Sequence, residues 1–560
     1  MEIKPIAPSF AASPQIRPED VAQAAAAGYK TIVCNRPDGE ADDQPRAAEI
    51  AEACRAAGIE FRYLPVKPGK ITDELLASFD ETLRGCKAPI LGYCRTGTRS
   101  ATVWALARSR MLSPDAILAA TGQAGYDLSG LRPRMDEAFG GVAARRAPDT
   151  YDVLIVGGGA GGVATAASLL KRSHKLRIAI VEPREIHYYQ PGWTLVGAGV
   201  FDPAQTVRSF EEVLPDAVKW IRGAVAEFLP EKNEIALENG ERYGYRALVL
   251  CPGLKLDWDA IEGLSETLGK NGVTSNYRYD MAPYTWELVQ NLRTGRAIFT
   301  QPAMPIKCAG APQKAMYLSA DHWYRNGRIP GIEVEFCLTG NVLFGVPDYV
   351  PALMEYVDRY KAALNFQHTL VKVDGARKVA TFKAVTEDGT DLVEKPFDML
   401  HVCPPQTGLD VVRASPLADA AGWVAVDPAT MQSPKFANVF GLGDASSAPN
   451  AKTAAAVRKQ APVVAVNVIA HLEGREPQAA YDGYGSCPLT VEKGKIVLAE
   501  FLYGGKVAPS FPSWIINGTR PSRAAWYLKE RLLPPLYWQG MFKGREYLAE
   551  PLRFRKIAAE

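Results

Sequence analysis

What this chain has little of already narrows its chemistry. Six histidines are scattered through 560 residues, with no C-x-x-C pair and no zinc-ligand spacing, so no metal centre is expected. Nine cysteines is an odd number, which suits reduced thiols in a cytosol better than a disulfide framework. A formal net charge of +2 argues against nucleic acid as the main partner. No apolar run is long enough to span a bilayer. The start, MEIKPIAPSF, lacks the basic flank and apolar core of a cleaved leader. No G-x-S-x-G element occurs. What remains is the composition of a soluble globular protein, 47% apolar and 22% charged, with a length that predicts two or three domains.

The most informative stretch is Tyr151–Leu170, YDVLIVGGGAGGVATAASLL. Val153–Val156 is a short β-branched run and predicts a buried strand; Val163–Leu170 continues as a helix. Between them Gly157, Gly159 and Gly162 take the order G-x-G-x-x-G. The first glycine permits a tight turn, the second a close approach to a pyrophosphate, and the third close helix–strand packing. The helix N-terminus then faces the anion. A second strand, Arg177–Val181, ends at Glu182, about 20 residues past the loop, where a ribose hydroxyl needs an acceptor. These residues predict a dinucleotide site.

Residues 1–140, ahead of that loop, are enough for a domain of their own. Strands predicted at Thr31–Cys34, Phe61–Val66 and Ala88–Tyr93 alternate with helices over Gln44–Ala57, Ile71–Arg84 and Ala101–Arg110. Cys94 ends a strand and opens the loop CRTGTRS. Inward backbone N–H groups and Arg99 would favour a thiolate there and bind an anion. Through TIVCNRPDGE and YCRTGTRS this segment resembles the protein-tyrosine-phosphatase-like sulfurtransferase domains. Phosphatases of that superfamily have five residues between Cys and Arg. Here four intervene, Arg95–Thr98, the loop length of rhodanese-type sulfurtransferases. A tighter loop suits a persulfide better than a phosphoester, so sulfur transfer at Cys94 is preferred to phosphatase chemistry. A loop that only binds an anion or a partner stays open. Cys54 and Cys86 read as buried structural thiols, and Cys34 is undecided. Residues 141–150, with small residues, two arginines and a proline, read as a linker.

After Glu182 comes HYYQPGWTLVGAGVFD, aromatic and glycine-rich, expected to line the cofactor cavity. Strands follow at Val218–Ile221, Ala224–Leu229, Glu234–Leu237 and Tyr245–Leu250. A second α/β unit starts at Arg296–Thr300. A nicotinamide site would need a second G-x-G-x-x-G there, and the chain gives QPAMPIKCAGAPQKAMYLSADHW instead. Pro302, Pro305 and Pro312 remove backbone donors and only Gly310 is present, so NADH and NADPH are not expected as electron donors. In their place stands Cys308, after Lys307 and ahead of a helix beginning near Pro312. A cation and a helix N-terminus both favour a thiolate; a buried apolar cysteine is the alternative.

The chain strongly resembles sulfide:quinone oxidoreductases of the mitochondrial-type branch. The stretches HYYQPGWTLVGAG, IKCAGAPQKAMYLSADHW, HVCPPQTG, ASPLADAAGWVAVD, NVFGLGD, AKTAAAVRKQAP and YDGYGSCPL carry it, from about residue 151 to the C-terminus. The resemblance implies FAD as cofactor, sulfide as donor, membrane quinone as acceptor and a thiol or protein as sulfur acceptor. Cys308 matches the first redox cysteine. The second normally follows Gly-Asp in NVFGLGD, where this chain has Ala445. Cys403, in HVCPPQTG, is the expected substitute, with Cys251 and Cys337 weaker candidates. Alternatively Cys308 works alone, and an external thiol or Cys94 collects the sulfur. Gly443-Asp444 ends a strand, Ala437–Leu442, and Asp444 would accept hydrogen bonds from the ribityl chain. Lys452 and Thr453 open the helix Thr453–Ile469, whose N-terminus should face the pyrimidine edge of the flavin. For Lys452 a solvated place at the helix start is the alternative.

Ser510–Phe554 crowds Trp514, Trp526, Tyr527, Tyr537, Trp538 and Phe542 among Arg520, Arg523, Lys529, Arg531, Lys543 and Arg545, with Pro534 and Pro535 expected to split it in two. Rings beside cations suit a bilayer interface. Packing on the protein's own core is the alternative. The expected architecture is α/β: 1–140 phosphatase-like sulfurtransferase domain, 141–150 linker, 151–290 and 406–490 FAD-binding domain, 291–405 second Rossmann-like domain with the redox cysteine, 491–560 amphipathic membrane-associating region. The protein is expected to be cytoplasmic and peripheral on the membrane, with a homo-oligomer left open. Rival readings are a flavin oxidoreductase for another donor and a non-catalytic sulfide-responsive binding protein.

Overall fold

In the computed structural model, which describes residues 1–553 except 8, 68, 110, 111, 113, 144–148, 388 and 450, each short apolar run of the N-terminal segment is a strand. The chain divides into two units: Met1–Asp149 with Ala236–Tyr243, and Thr150–Ile235 with Gly244 onward. Half of the predicted linker, 144–148, and Phe554 of the tail lie outside the described residues.

The first unit holds β1 (Lys4–Ala7), β2 (Phe10–Ser13), β3 (Thr31–Cys34), β4 (Glu60–Tyr63) and β5 (Ile90–Tyr93), in the order β1-β2-β5-β3-β4. β1 pairs antiparallel with β2, and the other pairings are parallel. β1 and β2 were not expected from their pattern, being short and flanked by prolines. Helices Ala47–Ala56 and Asp73–Gly85 flank the sheet; Thr72 caps the latter, accepting from Leu75 N at 3.3 Å. Helix α1 (Thr98–Arg108) starts earlier than predicted because Gly97 turns the chain at φ +85. Its buried face meets β2, where Phe10 stacks on Trp104 at 6.0 Å. Burial of rings this size is worth about 2–3 kcal/mol each.

The second unit is built on two sheets. In the first, β6 (Asp149–Val156), β7 (Ile178–Val181), β8 (Val218–Ile221) and β9 (Arg242–Leu250) run in the order β8-β7-β6-β9, and Val439–Gly441 adds in parallel to β9. Helix α2 (Ala160–Arg172) follows β6 and packs on α4 (Ala454–Leu472), reached after the second sheet. That sheet comprises β10 (Val273–Thr274), β11 (Gly295–Gln301), β12 (Ile332–Leu338), β13 (Ala363–Phe366) and β14 (Met399–His401), all parallel, in the order β10-β14-β11-β12-β13. β10 joins it ahead of the boundary expected at 291. Helix α3 (Ala311–Arg325) lies against β11 and β12 on one side and against the hairpin β15 (Gly485–Glu492) and β16 (Lys495–Phe501) on the other. Phe299, Phe336, Trp323, Tyr317, Leu489 and Val497 are buried in one core there. Residues 491–501, expected to begin the membrane-associating region, therefore complete a core hairpin, because Ile496, Val497, Leu498 and Ala499 are all buried and β16 is covered on both faces.

Candidate active site

Cys308 lies on the loop between β11 and α3, at φ +50, a left-handed conformation that non-glycine residues rarely adopt. Its amide donates to the Lys452 carbonyl at 2.9 Å, which stitches this loop to the start of α4. Lys307 beside it donates Nζ to Gln190 Oε1 at 2.7 Å, and its amide to Gln406 Oε1 at 2.7 Å. Two further side chains close on the sulfur. Lys314, one turn into α3 and buried, places Nζ 3.0 Å from Cys308 Sγ. Cys487, on β15, places its Sγ 3.9 Å from the same atom. A proton donated by the Cys487 thiol, then the Lys314 ammonium, holds Cys308 well below the usual thiol range. That same hydrogen bond, with burial, pushes Cys487 up. Burial alone would lower Lys314, but the Cys308 thiolate outweighs it and the ammonium is held charged. The pair is an anionic sulfur on a cationic side chain, half-buried and reachable.

Cys403 does not fill the place expected for it. It is buried with Tyr277, Ile306 and Ala311, and Cys308 packs on the edge of that cluster. Its sulfur turns to its own loop, 3.8 Å from the Pro404 carbonyl and 3.8 Å from Gln406 Nε2. Burial pushes its thiol up to about 12. Cys337, in β12, is wholly buried and also pushed up to about 12. Cys251 packs on the glycine loop, where a side chain at Gly161 would meet its Cβ at 3.0 Å. Ala445 is buried, its carbonyl accepting from Val424 N at 2.9 Å.

The residues of the β6–α2 loop fit a dinucleotide. Gly157 turns at φ +105 against the Cys251 carbonyl, and a Cβ at Gly162 would stand 1.9 Å from the Gly157 oxygen. At Gly159 a Cβ would meet nothing within 4 Å: open space lies at the N-terminus of α2, where an anion is favoured. Glu182 accepts from Gly158 N at 2.7 Å and from Arg184 N at 2.9 Å, so its carboxylate sits on the loop. Across the unit, Gly443 turns at φ +69, and Thr453 caps α4 by accepting from Ala456 N at 3.2 Å. Lys452 is not at a solvated helix start. It is buried, donates to the Asp444 and Ser446 carbonyls at 2.9 and 2.8 Å, and lies over the Trp423 ring. Burial lowers it to about 8 against the pull of Asp444. Burial raises Asp444, opposed by Lys307 and Lys452.

The C-terminal region closes on this cradle. Its helical run continues from Arg523 to Lys543 through Pro534 and Pro535, instead of splitting there. Wide turns at Leu528–Leu532 and Leu536–Gly540 make room for the rings, and both prolines sit where helical φ suits them. Tyr537, Trp538 and Phe542 are buried around His187, whose Nε2 bonds the Tyr537 hydroxyl at 2.8 Å while Nδ1 meets the Gly158 carbonyl at 3.1 Å. Burial lowers His187 to about 4, so the ring is neutral. Lys529, expected on the basic face, is buried instead, with Nζ donating to the Pro191 carbonyl; burial and Lys314 lower it to about 7. Glu546 accepts from Lys171 and Arg172 of α2, each at 2.9 Å. Exposed on the same region are Trp514, Ile515, Tyr527 and Leu532, with Arg520, Arg523 and Arg531. Among the described residues no helix is long and apolar enough to cross a membrane, and no metal-ligand cluster forms.

In the first unit Cys94 is buried at the end of β5, and the loop turns into α1 at Gly97 under the Tyr126 hydroxyl. Arg99 donates to both Glu40 oxygens, at 2.9 and 3.2 Å, and to the Val66 carbonyl at 2.9 Å. Although burial opposes it, Arg99 and then Arg36 hold the Glu40 carboxyl low. The guanidinium is thus fixed by the NRPDGE loop. The Ser100 and Tyr126 hydroxyls are buried and have no hydrogen-bond partner, which leaves polar atoms free for an anion beside the thiol.

Sequence reasoning missed Cys487, Lys314 and Lys529. Lys314 was within reach: in KCAGAPQK it falls in the first turn of the helix that Cys308 precedes.

Known proteins resemble the two units separately. Residues 2–111 match the family "Beta-lactamase hydrolase-like protein, phosphatase-like domain", and residues 151–283 match "Pyridine nucleotide-disulphide oxidoreductase". The mitochondrial sulfide:quinone oxidoreductase of Mus musculus is 39% identical over 411 residues, 73% of this chain and 90% of the mouse protein. That of Dictyostelium discoideum is 42% identical over 404 residues, 72% of this chain and 88% of the relative. The X-ray structure of the sulfide:quinone oxidoreductase from Aquifex aeolicus shares the fold, with a TM-score of 0.58 and 19% identity over 71% of this chain and 91% of that one. The chain belongs to the sulfide:quinone oxidoreductase family, in its mitochondrial-type branch, and carries a phosphatase-like domain ahead of it.

Proposed function

We propose that this protein oxidises sulfide to sulfane sulfur, passes the electrons to a quinone, and hands the sulfur onward through a thiol. The observation that carries the reading is the Cys308 thiolate, held 3.0 Å from Lys314 and joined through its amide to the loop that opens α4. FAD is the cofactor the cradle suits: Gly157, Gly159, Gly162 and Glu182 would hold its dinucleotide, and Gly443, Asp444, Lys452 and Thr453 its ring side. When bound, it would supply two-electron chemistry between a thiol and a quinone. The hydrogen bond from the Cys487 thiol, and then Lys314, keeps the sulfur deprotonated. Lys307 and Lys452 add positive charge around Asp444, which favours an anionic species in that space. The test is turnover with sulfide and a short-chain soluble quinone. The reading requires quinone reduction by the native protein and its loss in Cys308→Ser; an unimpaired variant would favour a different electron donor.

For the first unit the reading is sulfur transfer at Cys94, with Arg99 as its anion-binding cation. The short loop between Cys94 and Arg99 and the unpartnered Ser100 and Tyr126 hydroxyls support it. An acceptor thiol on the same chain would have a raised effective concentration if the linker lets the two sites meet. Transfer from a persulfide donor, lost in Cys94→Ser, tests this; release of phosphate from an aryl phosphate would move the assignment to phosphatase chemistry. The exposed rings and arginines of the C-terminal region suit peripheral docking of a cytoplasmic protein on a membrane from which quinone enters. Flotation with vesicles containing anionic phospholipid tests that, and failure to float at low salt argues against it.

A further inference from the structure

We propose that the C-terminal strap, residues 537–553, is a latch across the flavin cradle that an anionic lipid surface holds shut, so that docking and flavin retention favour each other; this rests on the FAD and membrane-docking readings above. The strap fastens both walls of the cradle. On the first wall, Glu546 accepts from Ser168 Oγ at 2.6 Å, and from Lys171 Nζ and Arg172 Nη2 at 2.9 Å each. These three residues end α2, the helix that the glycine loop opens. Gly544, at φ +67, lies so close to α2 that a Cβ there would stand 2.8 Å from the Ala167 carbonyl oxygen. On the second wall, Arg458 of α4 donates to the Tyr547 carbonyl, and Leu552–Arg553 pairs antiparallel with Ala479–Ala480 just beyond that helix. Tyr537 reaches the glycine loop itself, through His187 and the Gly158 carbonyl.

The strap has a fixed root and a free arm. At the root, Tyr537, Trp538 and Phe542 are buried around His187. Along the arm, residues 544–553, the contacts are polar apart from the buried methyl of Ala549. The Glu546 side chain is only 7% exposed and meets two cations of one helix. Although burial opposes it, Arg172, then Ser168 and Lys171, hold this carboxyl low, so it stays ionised. The next two residues face outward: Tyr547 is 58% and Leu548 68% exposed. Leu548 is held at φ +51, a left-handed backbone that is strained for leucine and is commonly kept where a group has work to do. Lys543 and Arg545 are exposed beside them. Apolar side chains among cations are what a layer of anionic lipid headgroups takes. Tyr527 and Leu532, with Arg523 and Arg531, repeat that pairing on the helical run that leads into the strap.

Coupling follows from the state that each ligand meets. A lipid surface that touches Tyr547, Leu548 and their cations in the closed arrangement binds it more tightly than an open one. It therefore raises the closed fraction, by at most the ratio of the two affinities. FAD held between the tied walls favours the same arrangement. By linkage, each then raises the affinity for the other by one and the same factor, about 5- to 150-fold in couplings of this kind.

The test uses the full-length holoprotein with vesicles of phosphatidylcholine, alone or mixed with phosphatidylglycerol. Free FAD is read from its fluorescence at equilibrium after dilution, and vesicle binding from flotation. Mixed vesicles should raise the affinity for FAD about fivefold or more, and phosphatidylcholine alone should leave it unchanged. The holoprotein should also float more completely than the flavin-stripped chain. Without vesicles, Glu546→Gln should release FAD more readily. Hydrogen exchange in that variant should rise over residues 544–553 while the rest of the chain keeps its protection, which separates an opened latch from a misfolded protein. Faster exchange over 544–553 with FAD release unchanged overturns the latch. Native protein that floats with mixed vesicles yet retains FAD no better overturns the coupling and leaves the docking reading standing. Native protein that does not float at low salt removes the docking reading, and the coupling with it. A chain that takes up no FAD removes the cofactor reading.

Discussion

Lys314 Nζ and Cys308 Sγ lie 3.0 Å apart, an ammonium and a sulfur paired inside the second unit. After the proton donated by Cys487, this ammonium does most to hold the thiol below its ordinary range. A lowered thiol pKa means that the thiolate persists as pH falls below the ordinary thiol range. Lys314→Met removes the cation, so the midpoint of Cys308 alkylation should move upward by about one to three units. Alkylation of the Cys308 peptide measured against pH checks it. An unchanged midpoint would mean that Lys314 does not govern the sulfur.

Gly310 has no room for a methyl group. Gly310→Ala should lower stability by about 1–3 kcal/mol, the usual cost of overpacking, because a Cβ there would stand 2.4 Å from Leu489 and 2.5 Å from Cys487 Sγ. Thermal unfolding checks it, and an unchanged unfolding temperature would mean that the neighbouring side chains yield without cost.

Gly159 is the reverse case, because nothing lies within 4 Å of its missing Cβ. Gly159→Val should leave the unfolding temperature of the flavin-free protein nearly unchanged while flavin content falls sharply, since the side chain would fill the anion cradle. A purified variant of normal yellow colour would count against flavin binding there.

His187 predicts an acid-sensitive clamp between the glycine loop and Tyr537. Its native value, about 4, lies below the ordinary 6.5, because burial penalises the imidazolium. The unfolded chain therefore takes up the proton first. This contribution is fully present above roughly pH 6.5 and is lost between roughly 6.5 and 4, by about 3 kcal/mol. His401, buried and also lowered to about 4, acts in the same direction. Denaturant unfolding across that range should show stability falling with acid, and His187→Gln should flatten the slope by about half.

How much of this was legible in the sequence follows from which interactions are local. The glycine loop, the Cys94 loop and the Cys308 loop each announce themselves within a few residues, because turn, anion cradle and helix start are consecutive in the chain. The Cys487 thiol meets Cys308 across 179 residues, and only the packing of β15 on α3 brings them together. No local pattern encodes that. Ala445 after Gly-Asp is legible in the sequence and points to Cys403; in the structure that sulfur turns to Pro404 and Gln406, with Cys308 packed at the edge of its cluster. In the C-terminal region, rings and cations gave one amphipathic reading. The structure divides them, turning Tyr537, Trp538 and Lys529 inward and leaving Trp514, Tyr527 and Arg523 outside, a partition set by tertiary contact with His187 and Pro191.

The central claim is that sulfide delivers electrons through Cys308 to a flavin and on to quinone. Anaerobic addition of sulfide to the purified yellow protein, followed by a soluble quinone, tests it most directly. The account predicts bleaching of the flavin absorbance by sulfide, recovery when quinone is added, and neither change in Cys308→Ser. A flavin that stays oxidised in excess sulfide would contradict it.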